Sequence, residues 1–474
     1  MHGCEHEGHL SWEHARRRAR ELGESLPAPV RELPLERAIG GVLARDVRAL
    51  AGLPAFDASA MDGYAVAGAG PWRLVGRHLA GNPGPSVALR PGETVEIATG
   101  ARVPKGTESV LPYERAEVED IPGSDVVRVK GEVEHGRHVR WSGEETSPGE
   151  TVLTHGHRVG PASLGIAASL GHETLPVFAP TVTIVVTGDE ITRSGLPGDG
   201  RVRDAIGPIL PGIASWAGAQ VGPVRYLGDD RAALAKVMTE TDTDVVVVCG
   251  SSSKGPADHV RSILVEAGAE TVVDGVQCRP GHPQLLARLA KVGGAGGSES
   301  SNGPGGPGNH GGPGDPHGTD DPVSTGARGE PEASGDDRKA RDTIVIGLPG
   351  NPGAAMVAAL TLFTPLVSAL AGRPDPARVD GRVPASGEIV SHPRDTRLVA
   401  VRLDERGRAV PVGHDRPGSL RGAALADVYA VVPPGWPTAA GEAGAGSEDV
   451  AGGSDGAHSA TDTGMDDVEL VRLP

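Results

Sequence analysis

The sequence predicts a multidomain α/β and β protein, in which a doubly wound α/β domain is joined to a helical linker domain, a β-rich domain and a C-terminal β-barrel. The chain has 474 residues, which is more than one ordinary hydrophobic core contains. From residue 180 to residue 372, strand-like and helix-like apolar segments alternate, a pattern typical of a mostly parallel sheet with helices on both faces. Short alternating runs between Pro-Gly pairs predict further strands and turns.

The part of the chain before residue 180 is predicted to form two domains. Residues 10–22 have the apolar spacing of a helix, and Ser11 is a residue type that commonly caps helices. We assign residues 10–50 and 146–179 to the helical linker domain. Residues 51–145 make up the β-rich domain, because their apolar residues come in short alternating runs separated by turns.

The part of the chain after residue 179 is predicted to form the α/β domain, residues 180–372, and the C-terminal β-barrel, residues 373–474. The barrel follows from a return to short strands. The predicted strands are 182–187, 244–249, 271–276, 343–348, 396–403 and 428–432, and the predicted helices are 206–219, 256–268 and 353–372.

Two low-complexity insertions interrupt these domains, residues 293–340 and residues 438–463. Both consist mainly of small and polar residues with few apolar side chains. Such a composition cannot offset the entropy lost on ordering by burying apolar surface. We therefore predict that both insertions are disordered.

Charge and composition exclude some functions. The formal net charge of −17 argues against a nucleic-acid-binding protein, since phosphate contacts need a basic surface. No apolar run looks long enough to span a bilayer, and the N-terminus lacks the blocks of a signal peptide. The cysteines, Cys4, Cys249 and Cys278, are too few for a disulfide framework. We expect a cytoplasmic protein without a membrane partner.

Histidines are dense around Cys4, and this N-terminal segment has two interpretations. It contains His2, His6, His9 and His14, which together with the thiol can hold a transition metal. A frayed terminus with adventitious metal affinity is the alternative, because no turn in the segment fixes the ligand geometry.

The string Ser-Ala-Met-Asp-Gly-Tyr-Ala at residues 59–65 places Asp62 in a sharp turn, since Gly63 lets the backbone bend. An ordinary Asp-Gly turn is the alternative interpretation. The whole string resembles the signature of the molybdopterin molybdenumtransferases, the family that includes the E domain of gephyrin.

Three strands of the α/β domain end in unusual loops, and ligands of such sheets bind beyond the carboxyl ends of the strands. Asp189 and Glu190 follow the first strand, although a surface turn is the alternative. The second strand leads into residues 250–255, which favour an anion nest or a flexible serine-rich loop. The third leads into the rigid loop of Pro349, Gly350, Asn351 and Pro352.

These loops also resemble their counterparts in the molybdenumtransferase family. The resemblance implies an α/β pterin-binding domain and an enzyme that takes adenylylated molybdopterin and molybdate, releases AMP and leaves molybdenum on the dithiolene. It also implies an elongated homodimer that works with Mg²⁺. A molybdopterin adenylyltransferase and a molybdoenzyme are the further partners we consider.

The resemblance implies roles for individual residues. The catalytic candidates are Asp62, Thr99, Glu190 and Asp258, of which the three carboxylates are also the candidate metal ligands. The cofactor-binding candidates are Asp189, Asp204, Gly250, Ser251, Ser253, Gly255, Arg279, His282, Pro349, Gly350, Asn351 and Pro352.

Several loops depart from the family pattern. The glycine-rich loop at 250–255 has gained serine side chains, His282 replaces a lysine, and Asp204 is followed by apolar residues instead of polar ones. These departures favour an alternative function, a non-catalytic paralogue that binds the cofactor or a partner as a scaffold or chaperone. Adenylyl transfer to molybdopterin is a third interpretation, but it does not require the Met-Asp-Gly-Tyr string. The choice between molybdate and tungstate stays open.

Overall fold

The structure is a computed structural model that describes residues 9–81, 88–250, 258–290, 341–386, 389–414, 416–436 and 467–474. The chain divides into two compact units. The first unit contains Met1–Pro27, Pro180–Ala369 and Pro374–Pro474, and the second contains Ala28–Ala179 and Leu370–Arg373. The two predicted insertions lie outside the described residues, so their predicted disorder stays a prediction. The division into four domains also stays a prediction.

The described strands and helices are numbered in chain order. Up to residue 179 the strands are β1 (Leu10–Ser11), β2 (Val30–Pro34), β3 (Val47–Arg48), β4 (Ala58–Ser59), β5 (Gly63–Val66), β6 (Trp72–His78), β7 (Glu93–Ile97), β8 (Ser109–Pro112), β9 (Glu117–Asp120), β10 (Val127–Lys130), β11 (Val139–Arg140), β12 (Thr151–Leu153) and β13 (Thr174–Phe178). From residue 180 they are β14 (Thr181–Thr187), β15 (Ile191–Thr192), β16 (Val202–Arg203), β17 (Gln220–Val221), β18 (Arg225–Leu227), β19 (Val245–Cys249), β20 (Glu270–Asp274), β21 (Val276–Arg279), β22 (Leu285–Leu289), β23 (Thr343–Leu348), β24 (Arg378–Pro384), β25 (Thr396–Leu403), β26 (Ala409–Pro411), β27 (Val428–Val432) and β28 (Asp467–Arg472). The helices are α1 (Trp12–Ser25), α2 (Leu35–Ala38), α3 (Pro161–Ser169), α4 (Leu210–Ala217), α5 (Arg231–Glu240), α6 (Val260–Glu266), α7 (Pro352–Ala358), α8 (Thr364–Leu370) and α9 (Arg421–Leu425), with a 3₁₀ turn at Tyr113–Arg115 and a π-helical turn at Ala359–Phe363.

The α/β sheet of the first unit has the strand order β17-β14-β19-β23-β22-β20, and β18 also pairs with β14. The pairs on the β14, β19 and β23 side are parallel. At the other edge β22 and β20 run antiparallel. The predicted mostly parallel sheet is therefore confirmed at its centre, whereas the edge carrying β22 and β20 is antiparallel.

Helices cover both faces of this sheet. On one face α5 and α6 pack in a single apolar cluster with Val185, Val246 and Val345. Side chains alternate along a strand, so Ile184 and Val247 point to the other face, where they are also buried. There α4 contacts β14, and α7 contacts β23. Burial on both faces explains why these strands are continuous apolar runs.

Three predicted elements need correction. The helix predicted from residue 206 begins at Leu210, after a turn in which Asp204 Oδ1 accepts from the Ile206 and Gly207 amides. The strand predicted at 271–276 is two strands, β20 and β21, separated by Gly275, which has a φ of +85°. The helix predicted at 256–268 is present as α6 but spans only Val260–Glu266 within the described residues.

The helix after β23 runs from Pro352 to Leu370 and contains the π-helical turn. By length and composition it can cross a membrane, so the expectation that no run is long enough is wrong for this segment. However, 94% of its most apolar stretch is buried inside the protein. This is the environment of a core helix in a globular unit.

Helix α1 belongs to the first unit. Its predicted cap is confirmed, because the Ser11 hydroxyl accepts a hydrogen bond from the His14 amide at 3.3 Å. Trp12 Nε1 donates to Thr361 Oγ1 at 3.1 Å. Arg16 pairs with Asp375 and also donates to a carbonyl of the π-helical turn. These buried polar contacts attach α1 to the helix after β23.

A second sheet of the first unit has the order β1-β21-β25-β27-β28-β24, and β26 pairs with β25. The predicted strands 396–403 and 428–432 are confirmed as β25 and β27. An isolated bridge joins Ala385, just after β24, to Ala409 in β26. The chain thus has a C-terminal domain built on strands, with its own apolar cluster.

The second unit contains a sheet of order β8-β5-β7-β6-β10-β9, in which β5 begins at Gly63. The smaller pairs β11–β4, β12–β3 and β13–β2 and the helices α2 and α3 complete the unit. A Cβ on Gly63 would overlap the carbonyl oxygen of Leu111 in β8, so only glycine fits there. The turn at Asp62 is therefore fixed by strand pairing.

Candidate active site

A cavity of about 580 Å³ lies at the carboxyl ends of β14, β19 and β23. This is where ligands of parallel sheets bind. The loops that follow the three strands form much of its wall. The lining residues are Val186, Thr187, Glu190, Ile191, Val202, Arg203, Asp204, Ala205, Ile206, Cys249, Gly250, Pro283, Pro349, Gly350, Asn351, Pro352 and Gly418.

Asp189 and Glu190 are adjacent in sequence, but their carboxylates have different surroundings. Glu190 lines the cavity. Its carboxylate lies close to Gly188, whose φ of +126° favours glycine at that position. Asp189 Oδ1 instead accepts a hydrogen bond from the Asp229 amide at 3.3 Å. Of these two candidates, only Glu190 faces the cavity.

Asp204 lies in the cavity wall, and the protein satisfies both of its carboxylate oxygens. Oδ1 accepts from the amides of Ile206 and Gly207 at 2.9 and 3.0 Å. Oδ2 accepts from the Tyr226 hydroxyl at 2.8 Å. Burial, and then this hydrogen bond, raise the pKa of Tyr226, so the phenol stays protonated and keeps donating. Asp204 thus organises the wall of the cavity.

Arg203 lines the cavity, and the sequence reasoning missed it. It is an exposed residue of β16, which pairs in parallel with β15. The one signal in the sequence was its position directly before Asp204, which was itself a candidate site residue. An exposed arginine is so common on protein surfaces that this position alone did not indicate a site.

Glycines let the loops after β19 and β23 approach each other. Gly250 has a φ of +108°, and a Cβ there would be 2.8 Å from the Thr187 hydroxyl oxygen. A Cβ on Gly350 would be only 3.4 Å from the Gly250 Cα. Asn351 is the N-cap residue of α7 and Pro352 its first residue, as suits a rigid entry to a helix. The loop at 349–352 therefore lies at the cavity, as the sequence predicts, whereas Ser251, Ser253 and Gly255 lie outside the described residues.

The Asp258 side chain is 5% exposed and lies 3.0 Å from Arg261. Within the described part of the chain, its Oδ1 has no hydrogen-bond partner. Burial raises the pKa of Asp258, and Arg261 opposes this effect. A buried carboxylate oxygen without a donor is a suitable cation ligand.

The described residues contain no group of three or more His, Cys, Asp or Glu side chains placed to hold a metal ion. This does not exclude Mg²⁺ chemistry, because Mg²⁺ commonly binds one or two carboxylates and takes its other ligands from substrate phosphates and water. Glu190 at the cavity and the unsatisfied oxygen of Asp258 fit that sparse pattern. Of the N-terminal candidates, only His9 and His14 are described.

Arg279 and His282 do not line the cavity, although their neighbour Pro283 does. Arg279 Nε donates to Asp395 at 2.7 Å, and Asp395 is only 3% exposed. His282 Nδ1 lies 2.8 Å from the Val276 carbonyl oxygen, and its ring packs edge-on against His9. The structure therefore engages both side chains in contacts within the first unit.

Asp62 and Thr99 come together in the second unit. Both are exposed, and Asp62 Oδ1 accepts a hydrogen bond from the Thr99 amide at 2.7 Å. The pairing of β5 with β7 brings their two loops to the same edge. The sequence string thus forms a defined turn with an exposed carboxylate.

The buried cysteines offer no nucleophile. Cys249 lines the cavity at the end of β19, and Cys278 lies in β21. Both thiols are free and buried, and burial raises the pKa of each. Chemistry in this cavity therefore depends on its carboxylates, its arginine and its backbone amides.

The α/β unit belongs to a known class of ligand-binding domain. Residues 183–369 match the family described as "Probable molybdopterin binding domain". Residues 10–171 match the MoeA N-terminal region (domain I and II), and residues 382–443 match the MoeA C-terminal region (domain IV). The chain belongs to the MoeA family.

Curated relatives agree with this assignment. A protein named molybdopterin molybdenumtransferase 2, from Mycobacterium tuberculosis, is 34% identical over 276 residues, which cover 54% of this chain and 67% of the relative. Molybdopterin molybdenumtransferase from Synechococcus elongatus is 31% identical over 279 residues, covering 55% of this chain and 68% of that protein.

The fold is also that of a solved structure. The molybdopterin biosynthesis MoeA protein from Pyrococcus horikosii aligns with a TM-score of 0.59 at 21% identity, over 98% of this chain and 99% of the other. At this identity the match shows a common MoeA-like multidomain fold with mixed α/β sheets and a C-terminal domain.

Proposed function

We propose that this protein is a molybdopterin molybdenumtransferase, which inserts molybdate into adenylylated molybdopterin and releases AMP in molybdenum cofactor biosynthesis. The observation that carries the proposal is the cavity at the carboxyl ends of β14, β19 and β23, where Glu190 and the loop at 349–352 meet. Its volume of about 580 Å³ is in the range of small-molecule sites. Relatives that are 31% and 34% identical carry the name of this activity.

The cavity residues suit anionic substrates in distinct ways. Asn351 and the backbone of the 349–352 loop offer polar groups at the N-terminus of α7, where the helix dipole favours negative charge. Arg203 adds a permanent positive charge. Apolar side chains such as Val186 and Ile206 offer a surface for a pterin ring.

We also propose a Mg²⁺ ion whose coordination shell is completed by oxygen atoms of the substrate. Glu190 and Asp258 are the carboxylates that would hold it, and Mg²⁺ would neutralise charge on the phosphates during AMP release. Asp62 is the third candidate ligand. It lies in the second unit, where its carboxylate accepts from the Thr99 amide. The unsatisfied Oδ1 of Asp258 supports this assignment.

The proposal includes a cytoplasmic homodimer, with a doubly wound α/β domain and a C-terminal β-barrel. Asp62 then serves a composite site shared between subunits. Mixing Asp62→Ala chains with Asp258→Ala chains should restore activity in heterodimers, because each contains one intact site. No recovery in verified heterodimers would contradict a shared site.

A non-catalytic scaffold or chaperone is the second candidate function. The observation that favours it is the engagement of Asp189 and Asp204 with protein groups, which leaves fewer carboxylates directed at a ligand. One assay separates the candidates: purified protein is mixed with adenylylated molybdopterin and Mg²⁺, with and without molybdate, and AMP is quantified. A transferase releases AMP with multiple turnovers when molybdate is present, whereas a scaffold binds the pterin without molybdate-dependent release.

A further inference from the structure

The cavity wall has an uneven distribution of charge. Among its described lining residues, the carboxylates are Glu190 and Asp204, and the only Lys, Arg or His side chain is that of Arg203. Asp204 is 8% exposed, and both of its oxygens already accept hydrogen bonds from the protein. Among the described lining side chains, an anion therefore meets one unengaged carboxylate, Glu190, and one cation, Arg203.

The backbone on both sides of Arg203 is fixed, although its side chain is exposed. The Val202 amide donates to the Glu190 carbonyl at 2.8 Å, and the Asp204 amide donates to the Thr192 carbonyl at 3.0 Å. Within the described part of the chain, the guanidinium makes no hydrogen bond or ion pair. An arginine on an anchored backbone, with its donors still available, can bind an oxyanion with two parallel hydrogen bonds.

Tyr226 holds the segment around Arg203 in place through a hydrogen bond to Asp204. Its hydroxyl donates to Asp204, the residue directly after Arg203. A Cβ on Gly207 would overlap Asp204 Oδ2 and would lie 2.5 Å from the Tyr226 hydroxyl, so a larger residue there would displace this contact. The Arg193 guanidinium stacks 4.8 Å above the Tyr226 ring. Tyr226 therefore reaches Arg203 through one carboxylate and one peptide unit.

We propose that Arg203 binds a tetrahedral oxyanion in the cavity and that Tyr226 is a positioning residue that acts through Asp204. The inference rests on the proposed function in one respect, since both substrates there, a phosphate ester and molybdate, present tetrahedral oxyanions. It assigns the recognition of one of them to a residue outside the loop at 349–352 and outside the pair Arg279 and His282.

Calorimetric titration of the full chain tests Arg203 with three probes: AMP, molybdate and adenosine, which lacks the anion. Arg203→Gln should weaken binding of AMP or of molybdate by about tenfold or more, the usual effect of losing a charge-assisted hydrogen bond, and leave adenosine unchanged. If only AMP binding weakens, Arg203 recognises the phosphate ester, and if only molybdate binding weakens, Arg203 recognises molybdate. Arg201→Gln is the matched control, because Arg201 belongs to the same exposed segment but does not line the cavity. Equal oxyanion affinities in the two variants, or no oxyanion binding by the wild type, would overturn the inference.

A double-mutant cycle tests Tyr226. Tyr226→Phe should weaken oxyanion binding by about three- to tenfold in the wild type and have no further effect in Arg203→Gln, because the hydroxyl acts through Arg203. A merely structural role would weaken binding by the same factor in both backgrounds, and that result would overturn the positioning role. If the wild type binds an oxyanion through Arg203 but releases no AMP, the proposed function fails and this inference stands. If it releases AMP and Arg203→Gln binds oxyanions normally, the inference alone fails.

Discussion

Arg16 is the residue whose replacement should most clearly change the stability of the first unit. Its side chain is 13% exposed and pairs with Asp375, which is 7% exposed. The same guanidinium donates to the Leu360 carbonyl. In a π-helical turn that carbonyl would accept from the amide five residues later, but residue 365 is proline and has no amide hydrogen. Arg16→Met would leave a buried carboxylate without its ion-pair partner and would remove one donor from the Leu360 carbonyl, which also accepts from the Thr364 hydroxyl.

The expected magnitude follows from these contacts. Removing one partner of a buried ion pair costs about 3–5 kcal/mol, and the lower end suits Asp375, which can take up a proton. About 1.4 kcal/mol corresponds to a tenfold change in an equilibrium constant. Amides of the helix Pro352–Leu370 should therefore exchange with solvent at least about 100 times faster in Arg16→Met than in the wild type. Hydrogen exchange read by mass spectrometry measures this directly.

Two further variants control the Arg16 experiment. Arg17→Met changes the same helix at a position 62% exposed and 4.0 Å from Glu21, where a surface ion pair contributes little. Its exchange rates should match the wild type. Asp375→Asn in the Arg16→Met background should recover part of the loss, because it removes the unpaired charge. Equal exchange rates in Arg16→Met and Arg17→Met would show that the buried ion pair does not stabilise this helix.

Two other predictions concern single positions. Gly63→Ala should lower the free energy of unfolding of the second unit by more than about 2 kcal/mol, because the new Cβ would overlap the Leu111 carbonyl oxygen; a urea midpoint equal to that of the wild type would contradict the strand register. Burial raises the pKa of Asp258 in the folded state, so ionising this carboxylate costs stability as pH rises through its folded pKa. Relative to the wild type, Asp258→Asn should therefore become more stable as pH rises above about 4, where this carboxyl ionises in the unfolded chain, and a stability difference independent of pH would contradict a desolvated carboxylate.

The sequence predicted the central strands well for a physical reason. Strands buried on both faces are continuous and mostly apolar runs, and the fully buried strands β23 and β27 have the predicted bounds. The bounds of short strands and the first residues of helices were harder to predict, because contacts of single side chains determine them. Asp204 closes a turn with the amides of Ile206 and Gly207, and the helix begins only at Leu210.

The site was only partly predictable. The loop at 349–352 was found because glycine, proline and asparagine limit the backbone in ways that are visible in the sequence. Arg203 was missed, since an exposed arginine resembles any surface residue until the fold places it at a cavity. The contact of Tyr226 with Asp204 joins residues 22 positions apart. No local pattern encodes such a contact.

The apolar helix after β23 shows the same limit. From length and composition its alternatives are a membrane span and a buried core helix, and the sequence alone does not separate them. The decision comes from packing, because α1, through Trp12 and Arg16, and strand β23 of the α/β sheet both contact the helix. Its burial is a property of the whole first unit.

Molybdenum transfer, as we propose it, takes place in the cavity beyond β14, β19 and β23. Ala205 lines this cavity and is only partly buried, so Ala205→Trp should fill the space while the protein stays folded. Ala232→Trp, at an exposed position of α5 away from the cavity, is the matched control. The measurement is molybdate-dependent AMP release from adenylylated molybdopterin by the wild type and both variants. We predict release by the wild type and Ala232→Trp, and none by a folded Ala205→Trp; equal release by all three proteins would contradict a reaction in this cavity.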